Sequence, residues 1–182
     1  MAQSLFTRFF AYLSYPVIEY GSAYGSTITD CYNNGDINAE KYYAGGIAGD
    51  IRYESTVTNC YNTGNITSSN NSAGGIGGGV SGSTVTNSAA INEKINAASG
   101  AGRIAGNIWG GASISNNFAL ETMQVTGFGY TDEMHNGADK SESDFNDQST
   151  YEYGLDWNFG GGDTDPLWKM PNDGSYPILY WQ

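Results

Sequence analysis

Basic residues are scarce in this 182-residue chain, which has seven Lys and Arg against nineteen Asp and Glu and a formal net charge of −12. Nucleic acids and anionic membranes are recognised by clusters of basic side chains, and the sequence contains no such cluster. We therefore expect neither partner. Eleven of the acids, with only two bases, fall between Thr131 and Gln182, which predicts a solvated, outward-facing C-terminal segment.

Cysteine, histidine and long apolar runs are equally scarce. Two cysteines do not make a disulfide framework or complete a zinc site, and the single histidine, His135, cannot supply the paired ligands of a zinc protease. No run of about 18 apolar residues exists, so we expect no membrane span. Residues 1–20 make a poor signal peptide, because Arg8 is their only basic residue and no small-residue cleavage site follows. We expect any export signal to lie outside this sequence.

Glycine and tyrosine are instead abundant, and an internal repeat runs through most of the chain. Four stretches related to Ser-Thr-(Ile/Val)-Thr have apolar centres 29, 28 and 29 residues apart, at Ile28, Val57, Val85 and Ile114. A glycine-rich element keeps the same period, with centres at Ile47, Ile76 and Ile104. Because the elements recur in constant order at constant spacing, the repeat indicates one structural unit copied along the chain.

Polar threonines flank the apolar centre of each repeat, as in Thr27-Ile28-Thr29, and this alternation is typical of a half-buried strand. No helical spacing appears in the repeats. Stacked coils bury a continuous column of Ile and Val that a single strand leaves exposed. We therefore predict an all-β fold: a β-solenoid (β-helix) of about four coils of 28–29 residues over 1–127. A C-terminal acidic loop and aromatic capping segment follow over 128–182.

Two further positions of the repeat acquire meaning from the stacking. Asp and Asn tolerate left-handed backbone. We therefore predict that the residues directly after the Thr strands form a stacked ladder of corners, at Asp30, Asn59, Asn87 and Asn116. Cys31 and Cys60 share the next position and are expected to stack in adjacent coils. We favour buried free thiols, and a disulfide between the coils is the alternative.

The last third of the chain lacks the repeat and is rich in aromatic and acidic residues. Open solenoid ends expose apolar core, so we interpret the aromatic side chains as the bulky plug of a terminal cap: Trp157, Trp168, Tyr176 and Trp181. An aromatic sugar-binding platform made by the same four residues is the alternative. We predict no obligatory cofactor, and a structural calcium ion held by Asp163 and Asp165 is a secondary hypothesis.

The alternation of Gly-Gly-Ile-x-Gly with Ser-Thr-(Ile/Val)-Thr-Asn-Cys-Tyr-Asn-x-Gly-x-Ile resembles the GLUG motif. That motif occurs in large surface proteins of gut and oral bacteria, including non-catalytic regions of IgA1-specific metalloproteases. The resemblance covers about Ser26 to Gln182. It implies an exported, adhesin-like bacterial cell-surface protein with β-helical repeats, whose partners are host glycans or extracellular proteins. It carries over no catalytic residues.

From these observations we expect a non-catalytic stalk or adhesion module rather than an enzyme. The first alternative is a polysaccharide-active β-helix enzyme, which needs convergent carboxylates, whereas the acids of the repeats are scattered. The second is an ice-binding solenoid that uses a flat ladder of outward hydroxyl groups, at Thr27, Thr29, Thr56, Thr58, Thr84 and Thr86. Threonine is also ordinary on a solvated strand.

Overall fold

Short strands joined by tight corners wind into stacked coils in the computed structural model, which describes residues 12–13, 22–160 and 166–182. Four coils follow one another, over 22–45, 48–74, 77–102 and 105–129. Equivalent strands pair in parallel, with partners 28 to 30 residues apart, as in the pairs Ile28–Val57 and Val57–Val85. The predicted β-solenoid of about four coils is confirmed.

The strands are numbered in chain order, and β1 (Tyr12–Leu13) precedes the first coil. The first coil contains β2 (Ser22–Tyr24), β3 (Thr27–Thr29), β4 (Tyr32–Asn33), β5 (Ile37–Ala39) and β6 (Ala44–Gly45). The second contains β7 (Ala48–Arg52), β8 (Thr56–Thr58), β9 (Tyr61–Asn62), β10 (Ile66–Ser68) and β11 (Ala73–Gly74). The third contains β12 (Gly77–Ser81), β13 (Thr84–Thr86), β14 (Ala89–Ala90) and β15 (Lys94–Gly102). The fourth contains β16 (Ala105–Trp109), β17 (Ser113–Ser115), β18 (Phe118–Leu120) and β19 (Gln124–Gly129).

Equivalent strands of successive coils form four parallel sheets. Sheet I contains β2, β7, β12 and β16, and sheet II contains β3, β8, β13 and β17. Sheet III begins with β1, β4, β9, β14 and β18, and sheet IV contains β5, β6, β10, β11, β15 and β19. Strand β19 runs across residue 127, where we placed the boundary between the solenoid and the C-terminal region.

One column of apolar side chains fills the inside of sheets I, II and IV, as the alternation predicts. In sheet II the fully buried centres are Val57 and Val85, and in sheet I they are Ile51 and Val80. The matching inward residues of sheet IV are Ile37, Ile66 and Ile95, which are also buried. Burial of one aliphatic side chain stabilises a fold by about 1.5–3 kcal/mol, so these columns supply most of the core.

The corner after each Thr strand has the left-handed backbone that the sequence predicts. The φ angles at this position lie between 51° and 55°, at Asp30, Asn59, Asn87 and Asn116. Hydrogen bonds also link side chains of neighbouring coils along this ladder. Asn59 donates from Nδ2 to Asp30 Oδ1 over 3.4 Å, and Asn116 donates to Asn87 Oδ1 over 2.8 Å. The predicted corner ladder is therefore confirmed.

A second, interior ladder involves Asn33 and Asn62, which are fully buried in sheet III. Asn33 Nδ2 donates to Asn62 Oδ1 over 2.8 Å and to the carbonyl oxygen of Gly35 over 2.7 Å. Asn62 makes the same contacts to its own chain, since its Nδ2 donates to the carbonyl oxygen of Gly64 and its Oδ1 accepts from the Gly64 amide. The asparagine of each Tyr-Asn-x-Gly motif thus holds the turn that follows it.

Beyond the fourth coil the segment 131–150, which we interpreted as a loop, contains regular structure. Its elements are α1 (Glu133–Asn136), β20 (Ala138–Lys140), α2 (Glu142–Phe145) and the start of α3 (Gln148–Glu152). The polar residues that suggested a loop are the helix N-caps, namely Asp132, Ser141 and Asp147. Strand β20 extends sheet III by pairing with β18, and α1 packs on β16 and β17, so this region covers the fourth coil.

The C-terminal segment (156–160 and 166–182) runs back along sheet III towards the first coil. It contains the antiparallel pair β21 (Trp168–Lys169) and β22 (Ile178–Leu179). Trp157 Nε1 donates to the Asn87 carbonyl oxygen in the third coil over 2.7 Å. The Tyr61 hydroxyl in the second coil donates to the Pro177 carbonyl oxygen over 2.6 Å. The predicted plug of the open end is therefore wrong in its position: the aromatic segment lies along the flank of the coils.

Candidate functional site

The predicted threonine ladder lies on the outer face of sheet II. Thr27 and Thr29 are in register with Thr56 and Thr58, and these are in register with Thr84 and Thr86. All six side chains are half-buried. The hydroxyls of one column are already engaged: Thr29, Thr58 and Thr86 donate to the Asp or Asn of the adjoining corner over 2.7, 3.1 and 3.2 Å. This column therefore offers no hydroxyl proton to an external ligand in this conformation.

The four aromatic residues predicted as a plug or a sugar platform do not form one exposed surface. Trp157 and Trp168 are buried and stack on each other, with ring centroids 4.6 Å apart. Tyr176 is half-buried, and Trp181 is 59% exposed. The platform interpretation is therefore wrong for Trp157 and Trp168, because stacking and hydrogen bonds to the coils bury their ring faces.

Aromatic side chains lie instead on the outer face of sheet I, where Tyr24 and Tyr53 are exposed and Trp109 and Tyr43 are half-buried. Tyr24, Arg52 and Trp109 occupy one register column, separated by Ser81 of the third coil. The Arg52 guanidinium carbon lies 5.1 Å from the centroid of the Trp109 ring. Tyr43 packs against the same indole at 5.7 Å. We call this set, together with Asp50 and Tyr53, the sheet I surface.

Polar groups accompany the aromatic rings on the sheet I surface. Arg52 Nε donates to Asp50 Oδ1 over 2.8 Å, and 33% of the Arg52 side chain is exposed to solvent. This hydrogen bond is the main cause of the raised pKa of Arg52, and the hydroxyls of Tyr24 and Tyr43 act in the same direction. The sequence-based prediction missed this surface, because the position before each corner (residues 24, 52, 81 and 109) has no residue type in common between the coils.

A cleft of about 240 Å³ separates the third and fourth coils from the C-terminal segment. Its polar walls include Glu93, Glu142 and Tyr176, and Ile91 and Leu120 supply apolar surface. Partial burial raises the pKa of Tyr176, and the charges of Glu142 and Glu93 raise it further. Glu93 is one of the acids that appear scattered along the sequence, and the fold brings it to the same cleft as Glu142.

His135 belongs to α1, and only 13% of its side chain is exposed. Its imidazole stacks on Tyr130 at 3.6 Å, and its Nδ1 lies 2.7 and 2.8 Å from the carboxylate oxygens of Asp132. Asp132 Oδ1 also accepts from the His135 amide as the N-cap of α1. This short helix therefore holds the imidazole ring against Tyr130 and Asp132.

Replacing Asp132 with Ala is expected to destabilise the protein by about 1 kcal/mol, the usual effect of losing an N-cap. Partial burial acts to raise the pKa of Asp132, but its hydrogen bonds with His135 outweigh this effect and lower it. A carboxyl group whose pKa is lowered by folding stabilises the folded state above about pH 4. This stabilisation is lost as the pH falls through the pKa of the folded state. Urea unfolding of wild type and Asp132→Ala should therefore converge in acid. Asp132→Asn, which retains a capping side chain, is the control, and an unchanged gap in acid contradicts the assignment.

Cys31 and Cys60 are buried free thiols in adjacent coils, as we favoured. Burial is the main cause that raises the pKa of Cys60 well above its ordinary value, and the neighbouring Cys31 contributes. Since the thiolate is the reactive species, both cysteines should resist alkylation in the native protein and react at once in denaturant. Mass spectrometry after iodoacetamide treatment measures this difference. A native mass two hydrogens lower, with no labelling after denaturation, identifies a disulfide and contradicts the structure.

No group of three or more His, Cys, Asp or Glu side chains within the described ranges is placed to hold a metal ion. The hypothetical calcium ligands Asp163 and Asp165 lie outside those ranges. No helix of the described chain is long and apolar enough to cross a membrane. Comparison of the chain with protein-family models, curated proteins and solved structures finds no match.

Proposed function

We propose that this chain is a non-catalytic repeat module of an exported bacterial surface protein, in which a rigid solenoid stalk presents an adhesive lateral surface. The observation that carries the proposal is the sheet I surface. It exposes Tyr24 and Tyr53 beside the Arg52–Asp50 pair, and exposed apolar surface rimmed by polar groups marks interaction sites. The resemblance to GLUG-motif proteins supports the same class and a location at the bacterial cell surface, with host glycans or extracellular proteins as partners.

The stalk part of the proposal is supported by the way the coils are joined. Each coil pairs with the next through parallel strands in all four sheets. Side-chain ladders at Asn33–Asn62 and Asp30–Asn59 add hydrogen bonds between coils. The C-terminal segment adds contacts from the third coil to the first through Trp157 and Trp168. A module joined in this way keeps its surface residues at fixed distances, which suits a presenting element.

The cleft and the threonine face correspond to the two alternative functions. The polysaccharide-active alternative is best supported by the cleft, because Glu93 and Glu142 both line it. The in-register threonines of sheet II favour the ice-binding alternative, although the hydroxyls of one column are consumed by the corners. Both alternatives predict an activity that an adhesive module lacks, so each can be measured separately.

The test is an array of host glycans and extracellular-matrix proteins probed with the purified chain, with and without calcium. Reproducible binding without release of reducing ends from any bound polysaccharide is expected. Glu93→Gln with Glu142→Gln should leave that binding unchanged, because the cleft lies apart from the sheet I surface. Release of sugar ends that this double variant abolishes contradicts the proposal and favours the enzyme. Thermal hysteresis in freezing solutions favours the ice binder.

A further inference from the structure

Tyr53 occupies a backbone position that the neighbouring coils fill with glycine. Its φ is +57°, and the corresponding corners of the other coils contain Gly25, Gly82 and Gly110, with φ of +57°, +55° and +65°. The second and fourth coils each have one additional residue here, so Glu54 and Gly111 are left-handed as well. A bulky side chain with positive φ is rare, because its Cβ crowds the following carbonyl oxygen.

This strained tyrosine contributes little to the core. Its side chain is 70% exposed, and its ring contacts only the edge of Tyr24 among the described aromatic residues, at 5.4 Å and 65°. Strained conformations persist where the surrounding structure enforces them, and they concentrate at ligand-binding sites. The corner geometry enforces the left-handed backbone in every coil, and the second coil carries an exposed tyrosine ring where the other coils carry no side chain.

The residues beside Tyr53 determine what it contacts. Tyr24 and Trp109 lie in one column along the solenoid axis, with Arg52 between them. Nε is the only guanidinium nitrogen of Arg52 that donates to a described residue, and its acceptor is Asp50. The Arg52 guanidinium is a planar donor whose side chain is 33% exposed. Ser81 of the third coil separates Arg52 from Trp109 in this column.

Aromatic faces next to a paired planar donor and acceptor match the chemistry of sugars. The C–H groups of a pyranose ring pack on an aromatic face, and its adjacent hydroxyls accept from guanidinium and donate to carboxylate. Asp50 balances the charge of Arg52, and the whole chain carries −12, so an anionic ligand is disfavoured. Stacked nucleic-acid bases need a basic groove for the phosphates, and this surface has none.

We propose that the sheet I surface binds a neutral, linear oligosaccharide along the solenoid axis, with Tyr24 and Tyr53 as stacking residues and Arg52 and Asp50 as hydrogen-bonding residues. Trp109 supports the site by packing its ring against the Arg52 guanidinium. This inference rests on the proposed adhesive function and specifies its ligand. Tyr53 is the central residue, because its exposed ring packs only against Tyr24 among the described aromatic residues and the equivalent corners of the other coils contain glycine. A glycine at position 53 relieves the strain and removes the contact, so fold stability and binding should respond in opposite directions.

The experiment is affinity gel electrophoresis of the whole chain through neutral polysaccharides: mixed-linkage β-glucan, xyloglucan, galactomannan and soluble starch. At least one should retard the wild type. Tyr53→Gly should weaken that retardation by about tenfold or more, as expected for a central aromatic contact, while its thermal midpoint stays equal or rises. Tyr53→Phe should bind like the wild type. Tyr153→Ala, which removes an 82% exposed tyrosine outside the sheet I surface, should have no effect.

Several results overturn the inference. Retardation that Tyr53→Gly and Trp109→Ala leave unchanged places sugar binding elsewhere, and stronger retardation by alginate or polygalacturonate excludes a neutral ligand. Concentration-dependent sedimentation that Tyr53→Gly abolishes assigns the surface to contacts between copies of the chain. Binding to matrix proteins alone preserves the adhesive function and contradicts its glycan ligand. If no polysaccharide retards the chain and no protein on the array binds it, both proposals are contradicted.

Discussion

Replacing Trp168 with alanine is expected to lower the free energy of unfolding by about 3–5 kcal/mol, the usual range for removing a buried tryptophan. The Trp168 side chain is fully buried and stacks on Trp157. Its Nε1 also donates to Asp30 Oδ1 over 3.2 Å. The substitution thus leaves a cavity between the C-terminal segment and sheet III, and it removes one donor from a buried carboxylate.

Trp181 provides a matched control because it belongs to the same segment but is 59% exposed. Trp181→Ala should change the free energy of unfolding by less than about 0.5 kcal/mol, as surface substitutions usually do. Urea unfolding followed by circular dichroism measures both variants. Equal unfolding midpoints for Trp168→Ala and Trp181→Ala contradict the description of the C-terminal segment as part of the core.

Replacing Gly74 with alanine is expected to prevent the coils from stacking, at a cost above about 4 kcal/mol. A Cβ at position 74 lies 2.2 Å from the Gly77 carbonyl oxygen, 2.6 Å from the Gly106 nitrogen and 2.8 Å from the Ala105 Cα. All three are backbone atoms of the third and fourth coils, so no side-chain rotation relieves the overlap. The second and third coils must separate, and the sheets between them lose hydrogen bonds.

Gly129 is the matched control, since a Cβ built there has no neighbour within 4 Å and its φ lies outside the left-handed region. Gly129→Ala should unfold at the same urea concentration as the wild type or slightly above it, because alanine restricts the unfolded chain. The comparison separates the general effect of replacing a glycine from the steric overlap that a Cβ causes where the coils approach closely. A cooperative unfolding transition for Gly74→Ala near the wild-type midpoint contradicts the tight spacing at this position.

The repeat alone was sufficient to predict the coils, because period and alternation depend on local sequence. The 28-residue spacing of Val57 and Val85 translates directly into register. The left-handed corner at Asn59 was equally accessible, since asparagine after a strand has few other roles. These features follow from interactions between residues that occupy the same position in successive coils.

The environment of Asn33 and Asn62 could not be predicted in this way. A polar side chain next to Tyr32 is expected to point outward, yet it is the asparagine that turns inward and the tyrosine that lies under the C-terminal segment. The inward asparagine is stable only because the following glycine turn and the next coil supply its hydrogen-bond partners. Such partners become visible only when two coils are superposed.

The candidate site was the least predictable part of the molecule. We predicted the tryptophans of the acidic tail as a terminal plug, with an exposed platform as the alternative, but Trp157 and Trp168 are buried along the flank of coils far away in the sequence. The exposed rings on the sheet I surface come from different coils, and each one is ordinary within its own repeat. Tyr53 stands out only through its backbone angle, which no composition or spacing reveals.

The hydrogen bond from Tyr32 to Gln182 joins residues 150 positions apart, and it has a consequence for how a cell makes this protein. Ribosomes extend a chain by roughly 5–20 residues per second, so the first coil waits roughly 8–30 s for the segment that covers it. During that interval the stacked rings of Tyr32 and Tyr61 face solvent as an uncovered apolar stripe. A chain that lacks residues 166–182 therefore carries its defect on the coil that was translated first, where chaperones and proteases recognise exposed apolar surface.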